Sequence, residues 1–358
     1  MARRSRCHQK ERKTSLINLK IKKINLSIDR FFYFVKNEKR DCTLKIEIVK
    51  PKIWNFELIK GEKAWEEVVY SARMSGVPSE IKGEEVFKMM IRNDYGSVLE
   101  HIIIKFDIKM TKGNAPELLE HRIASHSGFS TRFVKVFEGI EKEEPAYEII
   151  LPPHLLKDQE KRGFFIDLVS QNIKFYGDLL EAGIPKESAR YALPFCQAVG
   201  IYHFTINLRS LLNLLSLRLC VRASPEFRCL ASQLYFNLIE NFPIIRGLVG
   251  CRGFMKGVCP ESGVTGVRVG KQHPFYPLCP FKNENTDIFI PTREELQEGK
   301  VKKFNLEKAI EIQEKIFRKW STWNKTIESP KKDSFFILNF VVKSINEKKS
   351  LSGKTYCF

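Results

Sequence analysis

From Glu100 the chain alternates: Ile102, Ile104, Phe106, Ile108 and Met110 fall on one side of an extended backbone, and His101, Lys105, Asp107 and Lys109 on the other. A period of two predicts a half-buried strand. Residues 44–49 alternate enough to be an earlier one. Elsewhere the period is helical. Ala64, Val68 and Ala72 mark a helix over 62–75, and 82–93 reads as a second. Phe165, Val169, Ile173, Tyr176 and Leu180 predict a longer helix, which Gly183 ends. Pro185 opens a short helix that carries Arg190 before Pro194. The leucine-rich run 205–217 reads as a helix containing Asn207, Arg209 and Asn213, with Arg218 just beyond it. At about 100° per residue Arg209, Asn213 and Ser216 share a face there, and Asn207 and Arg218 lie near the opposite side. Phe227, Leu230, Leu234 and Leu238 mark a helix over 226–240, and a charged helix over 306–320 precedes an apolar patch at 335–342.

Between the strand and these helices lies the densest polar chemistry. Asn114 followed by Glu117 has the spacing of a capping box, and Pro116 fits a first helical turn, so a helix is expected from about Ala115. It should carry His121 and Arg122 in its C-terminal part, with Gly128 ending it in a loop that presents Ser130 and Arg132. Residues 121–133 hold two arginines, two histidines and four hydroxyl side chains. That is too many donors for a core segment, and guanidinium forks, hydroxyls and a closely approachable glycine backbone together describe an anion site.

Composition is that of a globular chain, with 43% hydrophobic and 28% charged residues. The net charge of +18 is concentrated at the ends: residues 1–50 carry 15 Lys and Arg against 5 Asp and Glu, whereas 51–280 carry 29 against 26. This predicts a basic extension over 1–43, a nearly neutral domain over 44–275 and a charged extension over 276–358. No apolar run is long enough to span a bilayer, no signal-peptide pattern follows the first arginines, and the nine cysteines form no close CxxC pair. A cytoplasmic protein with reduced thiols is expected. Cys220, Cys251, Cys259 and Cys279 are candidates for a metal, but Cys251 and Cys259 are too far apart for a zinc knuckle. Scattered core and loop thiols are expected, and no metal site is assigned. A GxGxxG strand-to-helix motif and a phosphate-loop motif are both missing.

His101, the eighteen residues separating it from Glu120, and the run HRIASHSGFSTRF at 121–133 resemble the signature region of flavin-dependent thymidylate synthases, R-H-R-x-x-S-x-N-x-x-S-x-R. EAGIPKESARYALP at 181–194, TINLRSLLNLLSLRLCVRAS at 205–224 and SARMS at 71–75 resemble other family segments in order and spacing. The resemblance covers about residues 44–260 and implies an α/β (α+β) fold, an antiparallel or mixed sheet with helices, distinct from the Rossmann type. It implies a homotetramer with sites at subunit interfaces, and reductive methylation of dUMP to dTMP with FAD, methylenetetrahydrofolate as carbon donor and NADPH as reductant.

By the same resemblance Ser97, His121, Arg122, Asn207, Arg209 and Asn213 stand beside FAD. Glu117, Ser130, Thr131, Arg132 and Arg190 match dUMP-site positions, and Arg218 matches the arginine placed against the uracil ring, where a fixed cation favours the deprotonated ring. Neither Cys196 nor Cys220 matches a functional position. The chain departs from the motif at Glu120, where the first arginine is expected, at Ser127 for asparagine, and at Gly128 for an acidic or amide residue. Phe133 replaces a common tyrosine, and Tyr95 a histidine found in some members. Glu120 is expected to turn away and pair with Arg122, Arg132 or a neighbouring subunit's cation.

Read without the resemblance, Arg190 and Arg218 are ordinary interhelical ion-pair partners, Ser130 a cap, Asn207 and Asn213 partners of backbone groups, and His101 a structural histidine. Two other functions are consistent with the residues: a catalytically degenerate paralogue acting as a structural or regulatory nucleotide-binding subunit, and a nucleic-acid-binding protein using its basic ends. The near-neutral middle ranks the last reading lowest.

Overall fold

The computed structural model describes residues 21–26, 30–36, 43–134, 147–261 and 279–323. The apolar patch at 335–342 and the basic segments at 1–20 and 324–358 lie outside the described residues. The chain begins with strands β1 (Ile21–Leu26), β2 (Arg30–Lys36), β3 (Thr43–Ile48) and β4 (Lys52–Leu58). Helices α1 (Trp65–Met74), α2 (Gly83–Arg92) and α3 (Gly96–Leu99) lead to β5 (Ile103–Met110). Next come α4 (Ala115–Leu119), β6 (Ala124–Gly128), β7 (Tyr147–Ile149) and the helices α5 (Pro153–Lys157), α6 (Gln159–Glu181) and α7 (Lys186–Ala189). Strand β8 (Gly200–Asn207) feeds α8 (Leu208–Arg218), α9 (Pro225–Asn241) and α10 (Arg252–Lys256), and α11 (Arg293–Gln297) and α12 (Leu306–Ser321) follow.

Two four-stranded sheets result. One runs β1-β2-β3-β7 with a parallel β3–β7 pair, and the other, β4-β5-β8-β6, is antiparallel throughout. The fold class is therefore mixed α/β, as expected. Period two in β5 does what it predicts: Ile104, Phe106, Ile108 and Met110 are at most 1% exposed. They pack with Phe204 and Ile206 of β8 and with the apolar faces of α1, α2, α8, α9 and α12 in the main core. A smaller core joins Ile46 and Ile48 of β3 and Ile149 of β7 to Ile166, Val169, Ile173 and Tyr176 of α6.

The helices predicted near 62–75, 82–93, 165–180, 226–240 and 306–320 are present, and Gly183 adopts φ 81° beyond the end of α6. Four local expectations fail. The helix from Ala115 stops at Leu119, so His121 and Arg122 sit in a bend, and Ala124–Gly128 pairs with β8 as an edge strand. Gly128 ends no helix; it makes room for Tyr202, whose ring would lie 2.4 Å from a β-carbon there. The capping box at Asn114 does not form. Asn114 turns instead to Glu226 and Thr111, and Glu117 to Arg218. Residues 205–207 are strand, and Asn207 is the N-cap of α8, accepting from the Ser210 N–H at 2.8 Å.

Candidate active site

The C-terminal end of α8, the bend after α4 and helix α10 enclose a cleft of about 830 Å³. A strand-to-helix junction at Asn207 aims α8 so that Arg209 and Asn213 face this space, and Arg218 closes the last turn. His121 and Arg122 enter from the bend, where Ile123 holds φ 58°, a strained value for a β-branched residue. The structure thus gathers His121, Arg122, Arg209, Asn213 and Arg218 into one cavity.

Arg218 is the organising cation. It is 16% exposed, pairs with the Glu117 carboxylate, donates to the Glu117 carbonyl at 3.4 Å and lies 4.8 Å over the ring of Phe227. Its Nε donates to His121 Nε2 at 3.1 Å, so that ring nitrogen is the acceptor and the neutral imidazole carries its proton on Nδ1. Burial, and then the Arg218 charge, hold His121 down at about 4. Burial raises the Glu117 carboxyl above its ordinary range against the pull of Arg218, and Glu120 adds to the rise.

The other side of the cleft comes from residues that sequence reading missed. Arg252 and Lys256 of α10 and Arg293 of α11 line it. Arg252 donates to Asn213 Oδ1 at 3.3 Å, and Lys256 pairs with Asp94 at 2.7 Å. In the sequence Arg252 and Lys256 resemble the cations of any solvated stretch, and Arg293 lies in a charged one. Arg209 is tied to Glu100 at 2.6 Å and lies flat over Gly96, where a β-carbon would fall 2.3 Å from its Nε. Six cationic side chains therefore line the cleft against two carboxylates, Asp94 and Glu120. Glu120 borders the cleft and pairs with neither Arg122 nor Arg132, two of its three expected partners; it forms no ion pair among the described residues.

The donor set suits a dinucleotide flavin. Arg122, Arg252 and Arg293 have no ion pair among the described residues, which leaves guanidinium donors for a diphosphate. The volume falls within the roughly 300–1,000 Å³ of cofactor pockets.

The remaining expected residues lie elsewhere. Ser97 is exposed on α3, and Asn207 is spent as a cap. Ser130, Thr131 and Arg132 form a turn beyond β6 that docks on α7: Arg132 pairs with Glu187 at 3.3 Å, and Lys186 donates to the Phe133 carbonyl at 3.0 Å. Arg190 joins that group through the Glu187 carbonyl at 3.1 Å. Phe133, Tyr191 and Phe195 stand exposed around it.

A family described as "Thymidylate synthase complementing protein" matches residues 57–244, more than half of the chain. The flavin-dependent thymidylate synthase of Thermococcus onnurineus is 32% identical over 171 residues, 46% of this chain and 68% of that protein. That of Geobacter sulfurreducens is 32% identical over 170 residues, 47% and 70% respectively. The Sulfolobus acidocaldarius enzyme is 38% identical over 144 residues, 39% of this chain but only 51% of its own length. Among solved structures, a UMP/dUMP methylase PolB from Streptomyces cacaoi bound with 5-Br dUMP overlaps 55% of this chain and 94% of its own, at 21% identity and a TM-score of 0.45. By the family match over more than half of its length, the chain belongs to the thymidylate synthase complementing protein family, the family of the flavin-dependent thymidylate synthases.

Proposed function

We propose that the chain methylates dUMP to dTMP, with FAD held in the cleft, methylenetetrahydrofolate as carbon donor and NADPH as reductant. The observation that carries this reading is the convergence of His121, Arg122, Arg209, Asn213 and Arg218 on one space. Bound flavin supplies the hydride-transfer chemistry. Arg122, Arg252 and Arg293 bind the diphosphate, Arg209 and Asn213 orient the rest of the cofactor, and Arg218 sets a fixed positive charge against the uracil edge. Glu117 and His121 hold that guanidinium in place, so its field is preorganised.

The dUMP phosphate goes to Ser130, Thr131, Arg132 and Arg190. These residues stand outside the cleft of their own chain, beside exposed aromatics, which supports completion of the site by a second copy in a homotetramer. The experiment is a flavin assay on the full chain: FAD released from the purified protein and quantified, bleaching of its visible band by NADPH, and dTMP formation. Stoichiometric FAD and turnover are expected. A protein that cannot be loaded with FAD would favour a degenerate subunit, the reading that the unpaired Glu120 at the cleft supports.

A further inference from the structure

Below the cleft lies a second, smaller cavity of about 70 Å³. Cys220, Cys251, Cys259 and Cys279, expected to be scattered, all line it. They come from four separate segments. Cys220 follows the end of α8, Cys251 is the N-cap of α10, and Cys279 is the N-cap of a 3₁₀ turn at Pro280–Lys282. Cys259 is pinned by its N–H to the Pro291 carbonyl at 2.8 Å. Buried Arg228 fixes the turn holding Cys220 by donating to the carbonyls of Val221 and Ala223, both at 2.8 Å.

The four cysteines share the lining of this one cavity. Backbone N–H groups already point at three of them: from Arg222 to Cys220, from Phe254 and Gly253 to Cys251, and from Phe281 to Cys279. Such donors are what metal-bound thiolates accept. Near Cys259, Lys282 and Arg222 supply positive charge.

The size of the void separates two kinds of occupant. A tetrahedral zinc with bonds of about 2.3 Å draws its four sulfurs into mutual contact and leaves no cavity. Here no three His, Cys, Asp or Glu side chains among the described residues stand close enough for a single ion. The four cysteines instead line a space of about 70 Å³, room for several waters at roughly 10–15 Å³ each, and most of the rest of its wall is apolar, including Leu219, Val221, Phe281 and Trp320. An empty void of this kind is destabilising, and water would find few partners in it. A cluster of iron and sulfide has the bulk, the apolar fit and the demand for four thiolates.

We propose that Cys220, Cys251, Cys259 and Cys279 ligate a [4Fe–4S] cluster in this cavity. Three of the ligands lie beyond residues 57–244, the range that the family model matches. Ser216, Leu217, Arg252 and Pro260 line both spaces, and the cluster shares a wall with the cleft.

The test is iron and acid-labile sulfide analysis of the full chain, purified without oxygen and reconstituted with iron and sulfide, together with electron paramagnetic resonance after reduction. About four irons and four sulfides per chain and a reduced-cluster signal are expected. Cys259→Ser and Cys279→Ser should each lose most of the iron, whereas Cys196→Ser, whose thiol packs in the smaller core, should keep it. Stoichiometric zinc without sulfide, or no metal after reconstitution, would overturn the proposal even if the cysteine variants fail to fold. FAD content is measured separately, so the flavin reading can fail while the cluster stands, and the reverse.

Discussion

The two groups of expected site residues are held in different ways. In the cleft, Arg218 is locked by Glu117, His121 and Phe227, and Arg209 by Glu100 over Gly96. Outside it, Arg132 and Arg190 lean on one exposed acidic residue, Glu187, and their neighbours Phe133, Tyr191 and Phe195 are 72–85% exposed. A cation fixed before its ligand arrives creates a field without reorganisation, whereas an exposed pair contributes roughly 0–1 kcal/mol and is free to rearrange. The first group is held by several contacts within the chain, and the second by few.

The largest expected effect tests the first half of that contrast. Arg218→Ala should lower dTMP formation by about 10²–10³-fold, as for other positioned electrostatic groups, with flavin content falling far less. Arg190→Ala should instead raise KM for dUMP while unfolding stability changes by less than about 0.5 kcal/mol, as at most surface sites that make no buried pair. Near-normal turnover of the first variant, measured in steady state, would remove Arg218 from its role.

His121 offers a test through pH. Its folded value of about 4 lies below the ordinary 6.5, so between these values the unfolded chain binds a proton that the folded chain does not. The stability present above pH 6.5 is therefore lost progressively as pH falls towards 4, by on the order of 3 kcal/mol from this group. His121→Asn should flatten that part of the profile in urea unfolding at the two ends of the window. An unchanged slope would mean that burial and Arg218 do not hold the imidazole neutral.

Next in size is Gly96→Ala. The β-carbon would displace the Arg209 guanidinium, and FAD affinity should drop about tenfold, equivalent to about 1.4 kcal/mol. Fluorescence titration of the apoprotein with FAD checks this, and unaltered affinity would exclude Arg209 from cofactor binding.

These residues were legible in the sequence to different degrees. Strong periodicity made β5, α6, α9 and α12 plain, because one buried face leaves a regular imprint. The run 205–217 misled because leucines surround α8 on several sides and hide the strand before it. Tyr202, Phe204 and Ile206 point inward at a period of two, and this signal could have placed the strand end at Asn207. Strand β6 left no imprint at all, since ASHSG lies on a polar edge held by backbone pairing with β8. The resemblance located the cleft residues on α8 and the bend. It assigned no role to Arg252 and Lys256, which follow its quoted segments, and did not extend to Arg293; these join the cleft only in three dimensions.

The smallest effect concerns Glu120, which pairs with neither of the arginines expected for it within the chain. A glutamate buried against arginines would be needed for stability, but this one is exposed at the cleft and unpaired among the described residues. Its charge then acts on a bound anion through water: at about 8 Å and a dielectric of about 80 two unit charges interact by roughly 0.5 kcal/mol. Glu120→Gln should accordingly tighten FAD or dUMP by about two- to threefold at low salt, and the gain should vanish at high ionic strength, where charges beyond a Debye length are screened. Unfolding stability should not move by more than about 0.5 kcal/mol. A loss above 1 kcal/mol, or a fall in oligomer size on gel filtration, would show that Glu120 pairs with a cation of a second copy. The cleft would then be no more self-sufficient than the group at Arg132 and Arg190, and the contrast between the two regions would disappear.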